Sequence, residues 1–365
     1  MKKSGNLAVF ATLILAGSLL AACGNTDPLA NRQGETNSAT KTQVTISGAG
    51  ASSQETAMNA WRAGYQTQHP EVQITYDGVG SGAGVEQFLS GQVAFAGTDK
   101  ALKPEEIEAS QKVCNGQQAI NLPVYISPVA IVFKLDGVTD LQLSPNTVAK
   151  IFNGQVTQWN DPALAAENPQ VTLPDLPITA VHRADKSGTT ENFTAYLAAA
   201  AGNDWPYKPS KEWPVAAGES GDKTAGVIQA VQAGNGTIGY ADASQVGTLG
   251  TVALKVKDGY VKYSAQAAGK AVAGSQLQAG RAAHDLALEL DYANPAEGAY
   301  PLILVSYLVT CPGHPDAETS KVVADFLTYV ASEEGQAEAA KSAGSAPLPA
   351  EIREKVTEAA KSLGK

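Results

Sequence analysis

The chain has 365 residues, 44% of them apolar and 17% charged, so it can form one or two domains of ordinary size. It carries 26 Lys and Arg against 36 Asp and Glu, a formal charge of −10. This acidic balance argues against a nucleic-acid surface, which needs a basic stripe. It leaves room for a small anionic ligand, because backbone N–H groups can hold an anion without help from net charge.

The first 22 residues have the pattern of a signal peptide. Lys2 and Lys3 precede an apolar run over residues 8–22, which is short for a membrane span. The run ends in Leu-Ala-Ala-Cys, which resembles a lipobox, so we expect Cys23 to be lipidated; ordinary cleavage beside an incidental cysteine is the alternative. Cleavage removes two lysines and no acidic residue, and so takes the formal charge from −10 to −12.

The segment after the signal peptide is polar and shows no apolar period. Together with Cys23 it gives residues 23–43, which we interpret as a flexible tether to a membrane.

From Val44 onward, short β-rich runs alternate with segments of helical period, which is typical of an α/β fold. Predicted strands contain residues 44–46, 72–76, 124–133 and 178–181. The apolar faces of the predicted helices are Met58, Trp61 and Tyr65; Val85, Phe88 and Leu89; Phe193, Tyr196 and Leu197; and Val322, Val323, Phe326 and Leu327. The Gly-, Asp- and Ser-rich stretch at 216–224 predicts a surface loop.

Three junctions between a predicted strand and a predicted helix carry glycines and hydroxyl side chains. They are residues 48–53 (GAGASS), 78–84 (GVGSGAG) and 183–190 (RADKSGTT). The first N–H groups of a helix are unpaired and carry partial positive charge, so they favour an anion. Glycine permits close approach of the backbone, and hydroxyls can donate to an oxyanion. One such junction is usually only a capped turn, but three together predict an anion site.

Arg183 is the candidate counter-charge, because a guanidinium can donate two parallel hydrogen bonds to one edge of a phosphate. The alternative is a surface salt bridge, for instance with Asp185. The two interpretations are compatible, since such a bridge would also hold Arg183 in place for a ligand.

An acidic residue, Asp99, ends the sequence FAGTD at 95–99. A carboxylate suits an anion that still has a proton to donate, as hydrogen phosphate has. Fully ionised sulfate would instead form an expensive like-charge contact in a desolvated site. The alternative is that Asp99 caps a helix implied by residues 102–107.

The cysteines left after Cys23 are Cys114 and Cys311. An even number of remaining cysteines in an exported chain predicts a disulfide. Two buried free thiols are the alternative. A disulfide that closes so long a loop stabilises the folded state by roughly 5 kcal/mol at most in the chain-entropy description. The cysteine spacing does not support a zinc site, and no metal is expected.

Three other functions fit parts of the sequence. The spacing of Gly78, Gly80 and Ala83 fits a loose dinucleotide pattern with Asp99 as its acid, but we expect no strand to end before Asp99. A hydrolase is the second alternative, but the sequence contains no GxSxG or Walker A motif. Its four histidines also lack motif context: His69, His182, His284 and His314. A binder of another oxyanion, such as sulfate or molybdate, is the third alternative.

Taken together, these motifs resemble the phosphate-binding proteins of bacterial phosphate-specific ABC importers. The matching segments span almost the whole chain after the signal peptide: GAGAS (48–52), GVGSGAGVEQF (78–88), FAGTD (95–99), IFNGQVTQWNDP (151–162), RADKSGTT (183–190), TIGYAD (237–242) and APLP (346–349). The resemblance implies extracytoplasmic capture of phosphate, a membrane permease as partner, a monomer, no cofactor and no catalytic residue.

The resemblance also implies a set of phosphate ligands on the matching motifs. They are Ser52, Ser53, Ser81, Asp99, Arg183, Ser187, Gly188 and Thr189. Two departures occur: Ser52-Ser53 stands where relatives often have Thr-Phe, and Lys186 stands where glycine is common.

The fold implied by the resemblance is the two-lobed α/β periplasmic-binding-protein (type II) fold, with a ligand cleft and a two-strand hinge. Lobe I would hold residues 44–123 plus 300–365, and lobe II residues 124–299. Phosphate would bridge the lobes and stabilise their closed arrangement. Both remaining cysteines would lie on lobe I.

Overall fold

The structure, a computed structural model, describes residues 43–363. The predicted signal peptide, Cys23 and the tether as far as residue 42 lie outside the described residues. Between residues 43 and 363, every helix is too short or too polar to cross a bilayer.

The described residues form an alternating α/β fold. The strands are β1 Val44–Gly50, β2 Val72–Asp77, β3 Phe95–Thr98, β4 Ile120–Lys134, β5 Asp140–Leu143, β6 Thr179–Arg183, β7 Glu219–Gly221, β8 Thr237–Asp242, β9 Gly250–Val256, β10 Gly259–Val261, β11 Gln276–Leu277, β12 Leu288–Glu289 and β13 Ile303–Thr310. The helices are α1 Glu55–Gln68, α2 Ser81–Leu89, α3 Pro104–Ser110, α4 Pro145–Phe152, α5 Pro162–Glu167, α6 Gly188–Ala200, α7 Lys223–Ala233, α8 Ala265–Val272, α9 Ala317–Ala331, α10 Glu333–Ala343 and α11 Ala350–Ser362.

One sheet runs in the order β2-β1-β3-β13-β4-β8-β6-β7, and β9 attaches β5 and β10 to β4. We call β2-β1-β3-β13 the first half of this sheet and β8-β6-β7 the second half. Strand β4 joins the halves, because residues 120–128 pair with β13 and residues 129–134 pair with β8. Since β1 is parallel to β2 and β3, and β6 to β7 and β8, each half brings the carboxyl ends of its parallel strands to one edge.

The apolar pattern of the sequence accounts for most of these elements. Met58, Trp61 and Tyr65 are buried on one face of α1, and Trp61 Nε1 donates to Gly335 O of α10 at 2.8 Å. Strand β4 is buried along almost its whole length, as expected of a central strand that is mostly apolar. The predicted strands and helical faces are thus confirmed, with β6 beginning at Thr179, one residue later than predicted.

Two predictions about loops are wrong. The stretch at 216–224 is not wholly a surface loop, because it contains β7 and the start of α7; β7 is formed by parallel pairing with β6, a tertiary contact that its composition does not reveal. A strand does end before Asp99, since residues 95–98 are β3. Four small or apolar residues suffice there because β1 and β13 pair with β3 on both sides.

The predicted disulfide is present. Cys114 follows α3 and Cys311 follows β13, and their sulfur atoms are bonded at 1.98 Å. Both side chains are buried. Because β13 belongs to the first half of the sheet and α3 follows β3, the bridge ties together two segments attached to that half.

Candidate functional site

Asp99 lies where the two halves of the sheet meet. Ser53 Oγ, at the start of α1, donates to Asp99 Oδ1 at 2.7 Å. Thr189 Oγ1, in the first turn of α6, donates to Asp99 Oδ2 at 3.0 Å. The side chain of Asp99 is only 2% exposed. A hydroxyl that follows β1 of the first half and a hydroxyl on the helix that follows β6 of the second half therefore bind the same buried carboxylate.

The start of α6 approaches Asp99 closely because residue 188 is glycine. A Cβ atom at Gly188 would lie 2.6 Å from Ser81 Oγ and 2.8 Å from Asp99 Cβ. Ser81 Oγ also accepts a hydrogen bond from Asp99 N at 3.3 Å. Any larger residue at position 188 would therefore push α6 away from both α2 and Asp99.

The second glycine-rich junction packs against the third. Gly82 N donates to Lys186 O at 3.0 Å. Gly80 has φ 93°, in the region that favours glycine, and a Cβ atom there would lie 2.3 Å from Asp185 Oδ2. The residues of this loop thus permit direct contact between the beginnings of α2 and α6.

Arg183 forms a buried, bidentate ion pair with Asp185. Its Nε donates to Asp185 Oδ1 at 2.7 Å and its Nη2 to Oδ2 at 2.6 Å. Burial acts to raise the pKa of Asp185, but the hydrogen bonds and charge of Arg183 hold that pKa below its ordinary value. The side chain of Arg183 is 4% exposed, so the salt bridge is not a surface one. Asp185 instead fixes the orientation of the guanidinium.

The electrostatic environment of Asp99 contains opposing effects. Burial raises the pKa of Asp99 above its ordinary value, while hydrogen bonds from Ser53 and Thr189 and the charge of Arg183 oppose that rise. The carboxylate is therefore desolvated, yet the hydroxyls of Ser53 and Thr189 stabilise its charged form.

A fourth helix beginning, which the sequence analysis missed, completes the cluster. Thr224, in the first turn of α7, donates its N–H to Ser52 Oγ at 3.2 Å, and the two hydroxyl oxygens lie 3.0 Å apart. Lys223 N donates to Asp185 Oδ1 at 3.1 Å. The sequence signal for this beginning is a hydroxyl residue before a helical apolar face, but the Gly-, Asp- and Ser-rich composition around it favours a loop.

Asn192 is a second residue that sequence reasoning missed. Its Nδ2 donates to Asp99 O at 2.7 Å and to Gly188 O at 2.9 Å. Nothing in the local sequence indicates this role, because it depends on contact between α6 and the end of β3.

Ser187 serves as the N-cap of α6, accepting from Thr190 N at 3.2 Å. Lys186 extends outward and pairs with Glu86 at 2.9 Å, and both side chains are more than half exposed. Of the predicted ligand residues, four lie directly around Asp99: Ser53, Ser81, Gly188 and Thr189. Ser52 instead contacts Thr224 of α7, and Arg183, at the end of β6, contacts Asp185.

The alternative roles receive little support from contacts. Asp99 does not cap α3, whose N-cap is Lys103. His182 Nδ1 lies 2.9 Å from Arg183 O, and its ring stacks on Trp213.

The remaining histidines have contacts of their own away from Asp99. His69 stacks on Tyr65, and His314 Nε2 lies 3.0 Å from Thr310 Oγ1. His284 lines a surface cavity together with Arg353.

A second buried carboxyl, Asp242, lies at the end of β8. It accepts hydrogen bonds from Tyr125 Oη at 3.0 Å and from Ser244 N at 2.9 Å. Burial raises the pKa of Asp242 to about 6, with the charge of Asp99 adding to the rise. Asp242 thus shares a desolvated region with Asp99 but belongs to a separate set of hydrogen bonds.

Comparison with known proteins gives consistent findings. A family model described as a PBP superfamily domain matches residues 35–334. The chain is 32% identical to phosphate-binding protein PstS 3 of Mycobacterium leprae over 363 residues, covering 96% of this chain and 97% of the relative.

The fold of this chain is similar to those of solved protein structures. A high-affinity periplasmic phosphate-binding protein (PfluDING), bound with phosphate, matches with a TM-score of 0.73 and 22% identity, covering 86% of this chain and 93% of that one. An ABC-type phosphate transport receptor from Vibrio cholerae matches with a TM-score of 0.52 and 17% identity, covering 83% and 100%. At these identities the two likenesses establish the fold alone.

Proposed function

The chain belongs to the PBP superfamily and, within it, to the family of PstS phosphate-binding proteins, and on this premise we propose that it binds inorganic phosphate outside the cell and delivers it to an ABC-type importer. Its fold is the two-lobed α/β fold of periplasmic phosphate-binding proteins, as predicted from the sequence.

The observation that carries this proposal is the combination of helix beginnings, one guanidinium and one carboxylate at a single place. Three helix N-termini and Arg183 favour an anion, whereas Asp99 requires that the anion donate a proton. Hydrogen phosphate meets both conditions. The proposed ligand residues are those of the sequence analysis: Ser52, Ser53, Ser81, Asp99, Arg183, Ser187, Gly188 and Thr189.

We further propose that the ligand bridges two lobes, with residues 44–123 plus 300–365 in lobe I and 124–299 in lobe II. Bonds between the halves of the sheet, such as that from Thr189 to Asp99, support the proposal that the described form is closed. Phosphate binding would then favour closure because only the closed form presents both sets of donors.

Calorimetric titration of the protein lacking residues 1–43, after exhaustive removal of co-purified phosphate, tests this function. We expect saturable binding of one phosphate per chain. A protein freed of phosphate that gives no binding signal would contradict the proposal. Assay of a chromogenic phosphate ester serves as the control for catalysis, and we expect no turnover because we propose a binding protein rather than an enzyme.

We propose a lipid anchor at Cys23, which would keep a monomeric protein at the outer face of the cell membrane. The lipobox-like sequence at residues 20–23 supports it. We expect radiolabelled palmitate to be incorporated into the wild-type chain and not into Cys23→Ala. Equal labelling of both proteins would place the lipid elsewhere.

A further inference from the structure

Residues 276–292, which we call the strap, contain β11, β12 and the connection between them, and lie against the first half of the sheet. Arg281 Nη1 donates to Leu102 O, just after β3, at 2.9 Å. Leu288 N donates to Tyr307 Oη of β13 at 3.0 Å. These bonds attach the connection between β11 and β12, and β12 itself, to the same half.

A second set of buried bonds joins the strap to the beginning of β4. Asp285 Oδ1 accepts from Asn121 Nδ2 at 2.9 Å, and Leu286 N donates to Asn121 O at 2.9 Å. Asn121 and Asp285 are both buried. Because this part of β4 pairs with β13, the strap is fixed to the first half at several independent points.

The end of the strap reaches the second half through Tyr292. Its hydroxyl donates to Asn192 Oδ1 on α6. Lys100 Nζ, from the first half, lies 3.3 Å from the same hydroxyl oxygen and 5.1 Å from the centroid of the ring. Asn192 then donates to Asp99 O at 2.7 Å. A continuous path of hydrogen bonds therefore runs from the strap through α6 to the carboxylate residue.

A cavity lies beside Tyr292 on the side of the second half. A cavity of about 540 Å³ lies between residues 292–296 and the side chains of Tyr196 on α6 and Lys255 on β9. The hydroxyl of Tyr292 thus forms a specific hydrogen bond to α6 at the edge of this cavity.

We propose that Tyr292 is a positioning residue for phosphate retention: the strap moves with the first lobe, and Tyr292 binds Asn192 of the second lobe only when the lobes close. This inference rests on the proposed function. Although residues 276–292 fall within the sequence range proposed for lobe II, their hydrogen bonds to Leu102, Asn121 and Tyr307 join them to lobe I.

The bond matters because Asn192 is fully buried. Its amide group holds Asp99 O and Gly188 O, and its Oδ1 receives the hydroxyl of Tyr292. Loss of that donor leaves a buried acceptor unpaired in the closed form, which is costly. Opening relieves the cost, so the expected effect is faster release of the ligand rather than slower capture.

The test is Tyr292→Phe, which removes the hydroxyl and keeps the ring. We expect the release of ³²P-phosphate into excess unlabelled phosphate to accelerate about 5- to 100-fold. The association rate constant should stay within about twofold, since the strap and the first lobe are bound to each other before closure. The same substitution in an Asn192→Ala background should have no further effect on release.

Tyr196→Phe is the matched control. Tyr196 lies one turn after Asn192 on α6 and lines the same cavity, but its hydroxyl makes no hydrogen bond with any described residue. Its release rate should equal that of the wild type.

The outcomes separate this inference from the proposed function. A wild-type protein that does not bind phosphate overturns both. A wild type that binds, with Tyr292→Phe releasing phosphate at the same rate and only melting at a lower temperature, overturns this inference alone.

Discussion

Replacement of Arg183 by alanine should weaken phosphate binding by about 2–5 kcal/mol, which is roughly 30- to 4,000-fold in Kd. The guanidinium is buried, and Asp185 engages its Nε and Nη2 atoms. Its orientation is therefore fixed before the ligand arrives, so little entropy is lost when an anion binds. Calorimetric titration of the variant with phosphate measures the loss.

Two further variants show whether the charge or its geometry matters. Arg183→Lys keeps a positive charge but cannot make parallel bonds to Asp185 and a ligand, so we expect an intermediate affinity. Lys186→Ala is the matched control, because Lys186 lies three residues away and pairs with Glu86 at the surface. Its Kd should remain within about fivefold of the wild type.

An unchanged affinity in Arg183→Ala would show that Arg183 serves only to organise the loop around Asp185. A variant that fails to fold would be recognised by its circular dichroism. In that case Arg183→Lys, which keeps a positive charge beside Asp185, still reports on the ligand contact.

The parts of the site that the sequence predicted are those encoded locally. A glycine-rich turn followed by hydroxyl residues predicts a helix beginning wherever it occurs, and Ser53, Ser81 and Thr189 lie at helix beginnings predicted in this way. No single motif shows that these residues converge; that expectation rests on the number of such junctions and on the resemblance. In the structure the convergence follows from the parallel pairing of β1 with β3 and of β6 with β8.

The parts that were missed depend on contacts between distant segments. Thr224 lies in the helix that follows β7, a strand that exists through its pairing with β6. The strand before Asp99 is stabilised by β1 and β13 rather than by its own composition. Asn192 and Tyr292 are ordinary residues in sequence, and their roles arise because the strap lies beside α6.

Asp99 should make the protein select phosphate over sulfate. At pH 7 we expect binding of phosphate and no detectable heat with sulfate, because sulfate has no proton to donate to the buried carboxylate. Asp99→Asn should weaken phosphate binding by about 1.5–3 kcal/mol, the range for a hydrogen bond to a charged group. The same variant should gain sulfate binding, since an amide can donate to the sulfate oxygen that the carboxylate repels.

Asp242→Asn is the control for a buried carboxyl as such. Asp242 is as buried as Asp99, but its oxygen accepts from Tyr125 and Ser244. We expect its ratio of phosphate to sulfate affinity to match the wild type. Comparable heats of binding with both anions in the wild-type protein would show that Asp99 does not select against sulfate.

The pH dependence of sulfate rejection follows from the pKa of Asp99. As the pH falls through this pKa, the carboxyl gains a proton, loses its charge and becomes a donor, so rejection of sulfate should fade. Because burial raises the pKa of Asp99, the change should begin at a higher pH than for an ordinary aspartate. In Asp99→Asn the titrating group is absent, so the affinity for sulfate should vary far less with pH. If wild type and variant gained sulfate binding in parallel on acidification, another group would be responsible for the selectivity.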